Sequence, residues 1–547
     1  MRILLAAAVL ILGSSASAAT LIRGGHIVDG TGNAWFRADL LIDRDRIVRV
    51  GDLSNVQADE VIDATGMIVA PGFIDVHTHV DADILKYPLA ENFVRNGVTT
   101  IVSGNCGGSE IDIGGFFEKL RERGSAINNA TLVGHNSVLR KVKGANSDVM
   151  KPEQLQQAKG IIDQAMRDGA IGFSTGLIYS PGQWSSSEEI IELARVSAQY
   201  GGIYATHMRS ESTAIEKAID EAIRIGRESG SRVQISHFKL PTDVAESMGR
   251  GKTRAAGSEV TLAKVEAARA AGMEVWIDQY PYTASSTTIN TLLPGWVLEQ
   301  GPDAARSMLT NAEQLPKVFE NMRQNHEVSR NRKSLAYAVI TSAQNPRWNG
   351  KSMLQIAQIK QFERDNPQGE LLGAPMPEVS MQMQYQAVID LYLDGGAGAV
   401  FHTMDETEVA SILRHPLVGI ASDSGIRVFG KGAPHPRGYG TNTRVLGKYV
   451  RELKVITLED AVRKMTSLPA TAFRLKDRGV IREGAIADIT IFDPLTVIDQ
   501  ATFENPHQYP VGIRRVIVSG VSIFDGDKLT DKRPGVVIVG PGYVEPK

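Results

Sequence analysis

The sequence predicts an α/β protein: a (β/α)8 TIM-like barrel carrying a small β-sandwich domain built from N- and C-terminal segments. Three observations predict it. Short apolar runs recur at Phe73–Val76, Thr99–Val102, Thr131–Val133, Ile171–Phe173, Ile203–Ala205, Val233–Ile235, Val275–Ile277 and Val418–Ala421. Helical patterns lie between several of them, which is the alternation that builds a parallel sheet. Both ends of the chain instead have the texture of β structure, so they can pair into one small domain that leaves the middle as an insert.

The chain opens MRILLAAAVLILGSSASAAT, with Arg2, an apolar run from Ile3 to Leu12, and Ala16-Ser17-Ala18. That pattern reads as a secretory signal peptide over residues 1–18, and its run is too short to span a bilayer. An exported protein is expected, periplasmic if the source is Gram-negative. Residues 19–70 hold LIRGGHIVDGTGN, ADLLIDRDRIVRVGDL and EVIDATGMIVAPG, short apolar runs broken by turns, and form the first part of the small domain. The barrel is expected over 71–474. In it, STAIEKAIDEAIRIGRESG puts Ile215, Ala218, Ile219, Ala222 and Ile223 on one face, with Gly226 and Gly230 near the end. Two further runs, Ala336–Ser342 and Ala399–Thr403, are rival strands, and a long insertion is placed at about 285–384. Residues 475–547, with GAIADITIFDP and RRVIVSGVSIFDG, complete the small domain and add a tail.

The 547 residues carry 59 basic and 62 acidic side chains, a net charge of −3, and no basic block. Nucleic acid is therefore not an expected partner, and neither is a membrane. The oligomeric state is left open. A single cysteine, Cys106 in VSGNCGGS, cannot close a disulfide within the chain. Taken alone it is either a small buried residue at a strand end or a thiolate reserved for a metal or for nucleophilic attack.

The residues that follow each apolar run narrow the choice, because barrel chemistry sits where strands run out into loops. The first run gives FIDVHTHVD with His77 and His79; the second gives Cys106 and the third His135. Later runs give STGLIYSPG with Tyr179, YATHMRSES with His207, ISHFKL with His237 and Lys239, DQYPYTASS with Tyr282, Ser285 and Ser286, and ASDSG with Asp423. His-x-His puts both imidazoles on one side of a strand. His207 and His237 lie thirty residues apart, about one β-α-β unit, and so belong to adjacent strands at one height. Imidazole and thiolate both suit zinc. His135 reads as a structural residue packed under the site.

The order of these motifs resembles the amidohydrolase superfamily of metal-dependent hydrolase barrels, and within it the N-acyl-D-amino-acid deacylase (D-aminoacylase) family. The matching pieces are PGFIDVHTHVD, SGNCG, LVGHNSVLR, GAIGFSTGLIYSPG, YATHMRSES, ISHFK, DQYPYTASSTT, RHPLVGIASD, HPRGYGTNTRVLGKYVRE and GAIADITIFDP, from about Leu21 to Gly526. The resemblance implies that Cys106, His207 and His237 hold a tightly bound zinc, and that His77 and His79 serve a second, weaker position. It makes Asp423 the catalytic acid/base, and Arg437, Lys239, Tyr179, Tyr282, Ser285 and Ser286 substrate-binding. Many superfamily members bridge two metals with a modified lysine after the fourth strand; Ser174-Thr175-Gly176 stands there instead, so the cysteine is the expected bridge.

The implied reaction is zinc-dependent hydrolysis of the amide of a small-molecule N-acyl-D-amino acid, releasing a carboxylate and a D-amino acid. Asp423 would move the proton from water to the leaving amine. Arg437 offers a planar fork that matches the α-carboxylate. Two alternatives stand beside this reading: another amidase of the superfamily, a dipeptidase or cyclic-amide hydrolase, and a non-catalytic barrel scaffold.

Overall fold

A computed structural model of the chain describes residues 19–545 other than 369, 370, 372 and 374. The leader assigned to residues 1–18 lies outside the described residues. The first five strands are β1 (Thr20–Ile27), β2 (Phe36–Asp43), β3 (Arg46–Gly51), β4 (Glu60–Asp63) and β5 (Ile68–Pro71). The barrel staves follow: β6 (Phe73–Asp75), β7 (Val98–Ser103), β8 (Asn128–Thr131) with its continuation β9 (Val133–Gly134), β10 (Gly172–Gly176), β11 (Ile203–His207), β12 (Arg232–Ile235) and β13 (Val275–Gln279). Then come β14 (Ser285–Thr288), β15 (Ala338–Ala343) and β16 (Ala397–Phe401), the last stave β17 (Val418–Ile420), and β18 (Ile489–Phe492), β19 (Ile513–Val518), β20 (Val521–Asp525) and β21 (Lys528–Leu529).

The two chain ends meet in one nine-stranded sheet, ordered β21-β20-β19-β18-β5-β1-β2-β3, with β4 also on β1. The seam is the antiparallel pair of β5 with β18, where Val69 faces Ile491. Ile22, Leu40, Ile42, Val69, Ile489 and Ile517 pack into a common core. The alternate residues Ile68, Ala70, Phe492, Val516 and Val518 belong to the large barrel cluster, so the seam, which joins segments about 420 residues apart in sequence, is buried on both faces.

All eight staves are parallel. One arc runs β6-β7-β8 and the other β9-β10-β11-β12-β13-β17; a bridge between Thr78 and Ser424 joins the arcs just past the ends of β6 and β17. Ile74, Val102, Leu132, Ile171, Ile203 and Ala205 belong to one buried apolar cluster, and a larger cluster packs the staves against their helices. The helix Ile215–Ser229 buries Ile215, Ala218, Ile219, Ala222 and Ile223 and ends on Gly230 in the left-handed region, the C-cap that glycine favours. After β21 the tail passes along the barrel: Val537 bridges Asn129, and Gly540 donates to the Gly169 carbonyl.

The insertion is longer than the 285–384 expected. β14, β16 and β15 form an antiparallel sheet of their own, with Val339 opposite Val400. Both rival strands thus belong to the insertion, which continues through Phe401. The reason is packing: Ile340, Ala399 and Phe401 share a separate core with Leu292, Val318, Trp348 and Tyr385.

Candidate metal centre

Cys106 follows β7 with φ 52°, on left-handed backbone. The glycines around it explain how the chain reaches that pose. A Cβ on Gly104 would stand 2.1 Å from the Leu132 carbonyl oxygen, and one on Gly107 2.4 Å from Asn136 Oδ1. Side chains are therefore excluded on both sides of the thiol, and the turn lies tight against the next stave. His237 and Asp423 also take positive φ, 37° and 50°. Such backbone costs about 1–3 kcal/mol per residue and clusters at functional sites.

Three imidazoles surround the sulfur. His77 Nε2 is 3.3 Å from Cys106 Sγ, His237 Nε2 is 3.5 Å away and His207 Nδ1 is 3.7 Å away. Burial pushes the thiol up, but the His77 charge and the His207 and His237 hydrogen bonds outweigh it and hold its pKa well below the ordinary value. The thiolate is the ligating form of cysteine. The donor atoms of Cys106, His207 and His237 all lie within 4.8 Å of one another, as do those of His77, His79 and Cys106, and those of His77, His237 and Asp423. One soft sulfur and several borderline nitrogens, mutually close at the end of a barrel, are a donor set that fits zinc.

Asp423 stands next to this cluster. His79 Nε2 is 3.0 Å and His77 Nε2 3.6 Å from its Oδ1; Arg437 Nη1 is 2.9 Å from its Oδ2. Burial raises its pKa, but Arg437 and then His77 and His79 overcome that and hold it well below the carboxylate range. Arg437 opens the helix Arg437–Arg444. His435 fixes that turn, its Nδ1 accepting from the Arg437 amide and its Nε2 donating to the Ala284 carbonyl. Arg437 Nη2 reaches the Ser286 carbonyl at 3.4 Å, and Nε is buried without a hydrogen-bond acceptor. The fork thus has donors left for an incoming carboxylate.

A cavity of about 590 Å³ opens over these groups. Tyr179, Lys239, Ser285, Ser286 and Arg437 line it, together with His79, Cys106, His207, His237 and Asp423. Tyr179 Oη is 2.9 Å from Thr287 Oγ1, and its ring lies against His207. The insertion supplies another wall through Leu292, Tyr337 and Phe401.

Tyr282 is a correction. It does not line that cavity; Tyr280 does. Past Pro281 the Tyr282 ring packs edge-on against His435 and Phe503, with Arg444 over its face and its hydroxyl 3.4 Å from Asp499. Tyr280 lies under the Arg437 guanidinium at 4.6 Å. His135 is buried outside the cavity, against Phe173, with Nε2 3.4 Å from Ser185 Oγ. Sequence reasoning missed Glu211 and Asp278. Glu211 is the acid of HMRSES, four residues after His207; Asp278 lies in β13, and its Oδ1 is 3.6 Å from His77 Nδ1. A lone acid near a strand end carries no signal until its partner nitrogen is placed.

The fold is that of the metal-dependent hydrolase barrels. A family model described as "Amidohydrolase family" matches residues 60–171 and 366–524. An N-acyl-D-glutamate deacylase of Alcaligenes xylosoxydans xylosoxydans is 34% identical over 543 residues, covering 95% of this chain and 96% of its own length. The solved N-acyl-D-glutamate deacylase of Bordetella bronchiseptica, complexed with zinc and a phosphonate inhibitor that mimics the tetrahedral intermediate, superposes with a TM-score of 0.77 at 32% identity over 96% of this chain and 100% of its own. A solved D-aminoacylase, described with a binuclear metal centre showing one-metal activation and second-metal attenuation, gives 0.77 at 33% identity, covering 95% and 99%. The chain belongs to the amidohydrolase family, in its N-acyl-D-amino-acid deacylase branch.

Proposed function

We propose that the protein hydrolyses the amide bond of N-acyl-D-amino acids with the help of bound zinc, releasing a carboxylate and a free D-amino acid. The observation that carries this is the gathering of three imidazole nitrogens within 3.3–3.7 Å of one thiol sulfur, beside a carboxylate–guanidinium pair at the floor of one cavity. Cys106, His207 and His237 are the residues that would hold the tight ion; His77 and His79, with Asp423 at hand, would serve a weaker second position. A zinc ion there supplies Lewis acidity to the amide carbonyl and makes a neighbouring water acidic near neutral pH.

The protein's own groups do the rest. Asp423 Oδ1 faces the cluster and takes the proton from the attacking water. The same carboxyl then delivers it to the amide nitrogen, since an amine anion is too poor a leaving group. Arg437 on Oδ2 keeps the carboxylate charged between turnovers. Its Nε–H, which has no acceptor in the protein, and the Nη2 group on the same edge of the guanidinium offer the α-carboxylate a planar, two-pronged contact. Lys239, Tyr179, Ser285 and Ser286 line the space around the bound substrate. With carboxylate and carbonyl both fixed, one enantiomer directs its side chain into the cavity and the other into the wall.

A chiral panel tests the proposal. N-acetyl-D-methionine should be cleaved, its L-form and hydantoin not; cleavage of only the L-form or the ring would remove it. Export is proposed from the leader-like pattern of residues 1–18, and cell fractionation decides it. Among the described residues no helix is long and apolar enough to cross a membrane.

A further inference from the structure

Each histidine of the tight set has a second ring nitrogen that faces away from Cys106. Those of His207 and His237 face one and the same side chain. Glu211 Oε1 is 2.8 Å from His237 Nδ1, and Oε2 is 3.5 Å from His207 Nε2. Lys239 Nζ pairs with Glu211 Oε1 and also bonds the His237 carbonyl at 3.0 Å. The carboxylate is almost wholly enclosed, 13% exposed. It lies on the loop after β11, so it spans from its own stave to the histidine of the next.

We infer that Glu211 is a positioning residue for the metal centre: one carboxylate that sets the tautomers of both strand-end histidines, in opposite senses. An ionised carboxylate accepts and cannot donate. It faces His237 Nδ1 at hydrogen-bond distance, and its charge 3.5 Å from His207 Nε2, which has no hydrogen-bond partner, favours the proton there as well. That leaves the lone pairs of His207 Nδ1 and His237 Nε2 directed to the Cys106 side, where a cation would sit. The two rings thus ligate through different atoms, and sharing an acceptor couples the staves β11 and β12. Lys239 keeps Glu211 ionised and oriented, which gives that lysine a duty in the site besides lining the cavity. Carboxylates behind metal-bound imidazoles fix the ring and raise its basicity, and their loss ordinarily costs 10–100-fold in metal affinity.

A rival arrangement is visible in the same geometry. Lys239 Nζ is also 2.9 Å from His237 Nδ1. Were Nδ1 the acceptor of a lysine proton, His237 would carry its own proton on Nε2 and leave the ligand set, and Glu211 would only hold the lysine.

The inference rests on the proposed zinc reading, and the experiment separates the two. Full-length wild type, Glu211→Gln and Glu211→Asp are loaded with Zn²⁺ alone and titrated against a competing chelator. The melting temperature of each metal-free form is taken in parallel, and the Co²⁺-substituted forms are read by visible absorption. Zn²⁺ affinity should fall about 10–100-fold in E211Q and be partly restored in E211D, with the cobalt ligand-field bands displaced in E211Q. The metal-free melting temperatures should not follow that order. Unchanged Zn²⁺ affinity and an unchanged cobalt spectrum in E211Q would overturn the inference. So would an affinity loss that E211D shares in full, or one that simply tracks the melting temperature. If E211Q does not fold, E211D is compared with wild type alone, and an unaltered affinity and spectrum there overturn it too. Failure of wild type to hold Zn²⁺ would instead overturn the zinc reading.

Discussion

Asp423→Asn isolates the proton-transfer step. Asp423 occupies φ 50°, a region that Asn enters about as readily as Asp and other residues enter poorly. The exchange therefore keeps backbone and volume and removes only the charge and the proton acceptor. Removing a general acid–base typically costs 10²–10⁴-fold, which is about 3–5 kcal/mol on the barrier at 1.36 kcal/mol per factor of ten. Since Asp423 is here asked to serve both the water and the leaving nitrogen, the upper part of that range is expected. The exchange also strips Arg437 of its ion-pair partner at 2.9 Å; orphaning a buried charge is destabilising, so folded fraction and zinc content are measured beside kcat/KM. The decisive comparison uses the amide and its ester counterpart, an O-acyl-D-hydroxy acid. An alkoxide leaves with less need of a proton, so the D423N defect should be smaller on the ester by tenfold or more. Equal defects on both, or a variant within tenfold of wild type on the amide, would refute the role given to Asp423.

Arg437→Lys keeps the charge but loses the fork; KM for N-acetyl-D-methionine should rise about tenfold or more and the preference for D over L should narrow, both read from initial rates. Tyr280→Phe should raise KM, while Tyr282→Phe, whose hydroxyl meets Asp499 outside the cavity, should leave KM unchanged and lower only the melting temperature. Deleting the chain after Leu529 removes the bridge of Val537 to Asn129 and the packing of Ile538 against the barrel cluster. The melting temperature should drop, with kcat/KM of the surviving folded protein near that of wild type.

What the sequence disclosed and what it withheld follow from how each feature is encoded. The staves were legible because a strand buried on both faces is a short apolar run, and the last residues of each run are those the barrel presents at its mouth. Hence the sequence alone places Cys106, His207, His237 and Asp423 together at one end of the barrel. The insertion's end is hidden in the sequence because Ala399–Thr403 has the same local composition as a stave; its partner, β15, is fixed by a separate core that includes Trp348 and Tyr385, a tertiary fact no local run contains. The place of Tyr282 is hidden for a related reason. In Tyr-Pro-Tyr both rings carry equal promise, and the choice is made by Asp499 and Arg444, which the fold returns from more than 150 residues away. Glu211 is the clearest case. Its spacing from His207 is that of an ordinary i,i+4 contact, so it reads as a solvated acid beside a histidine. Its role depends on His237 arriving from the next stave and Lys239 closing on the same oxygen. Residues that touch a ligand are announced by their own chemistry; residues that orient them are announced only by where the unused nitrogen of a ring happens to point.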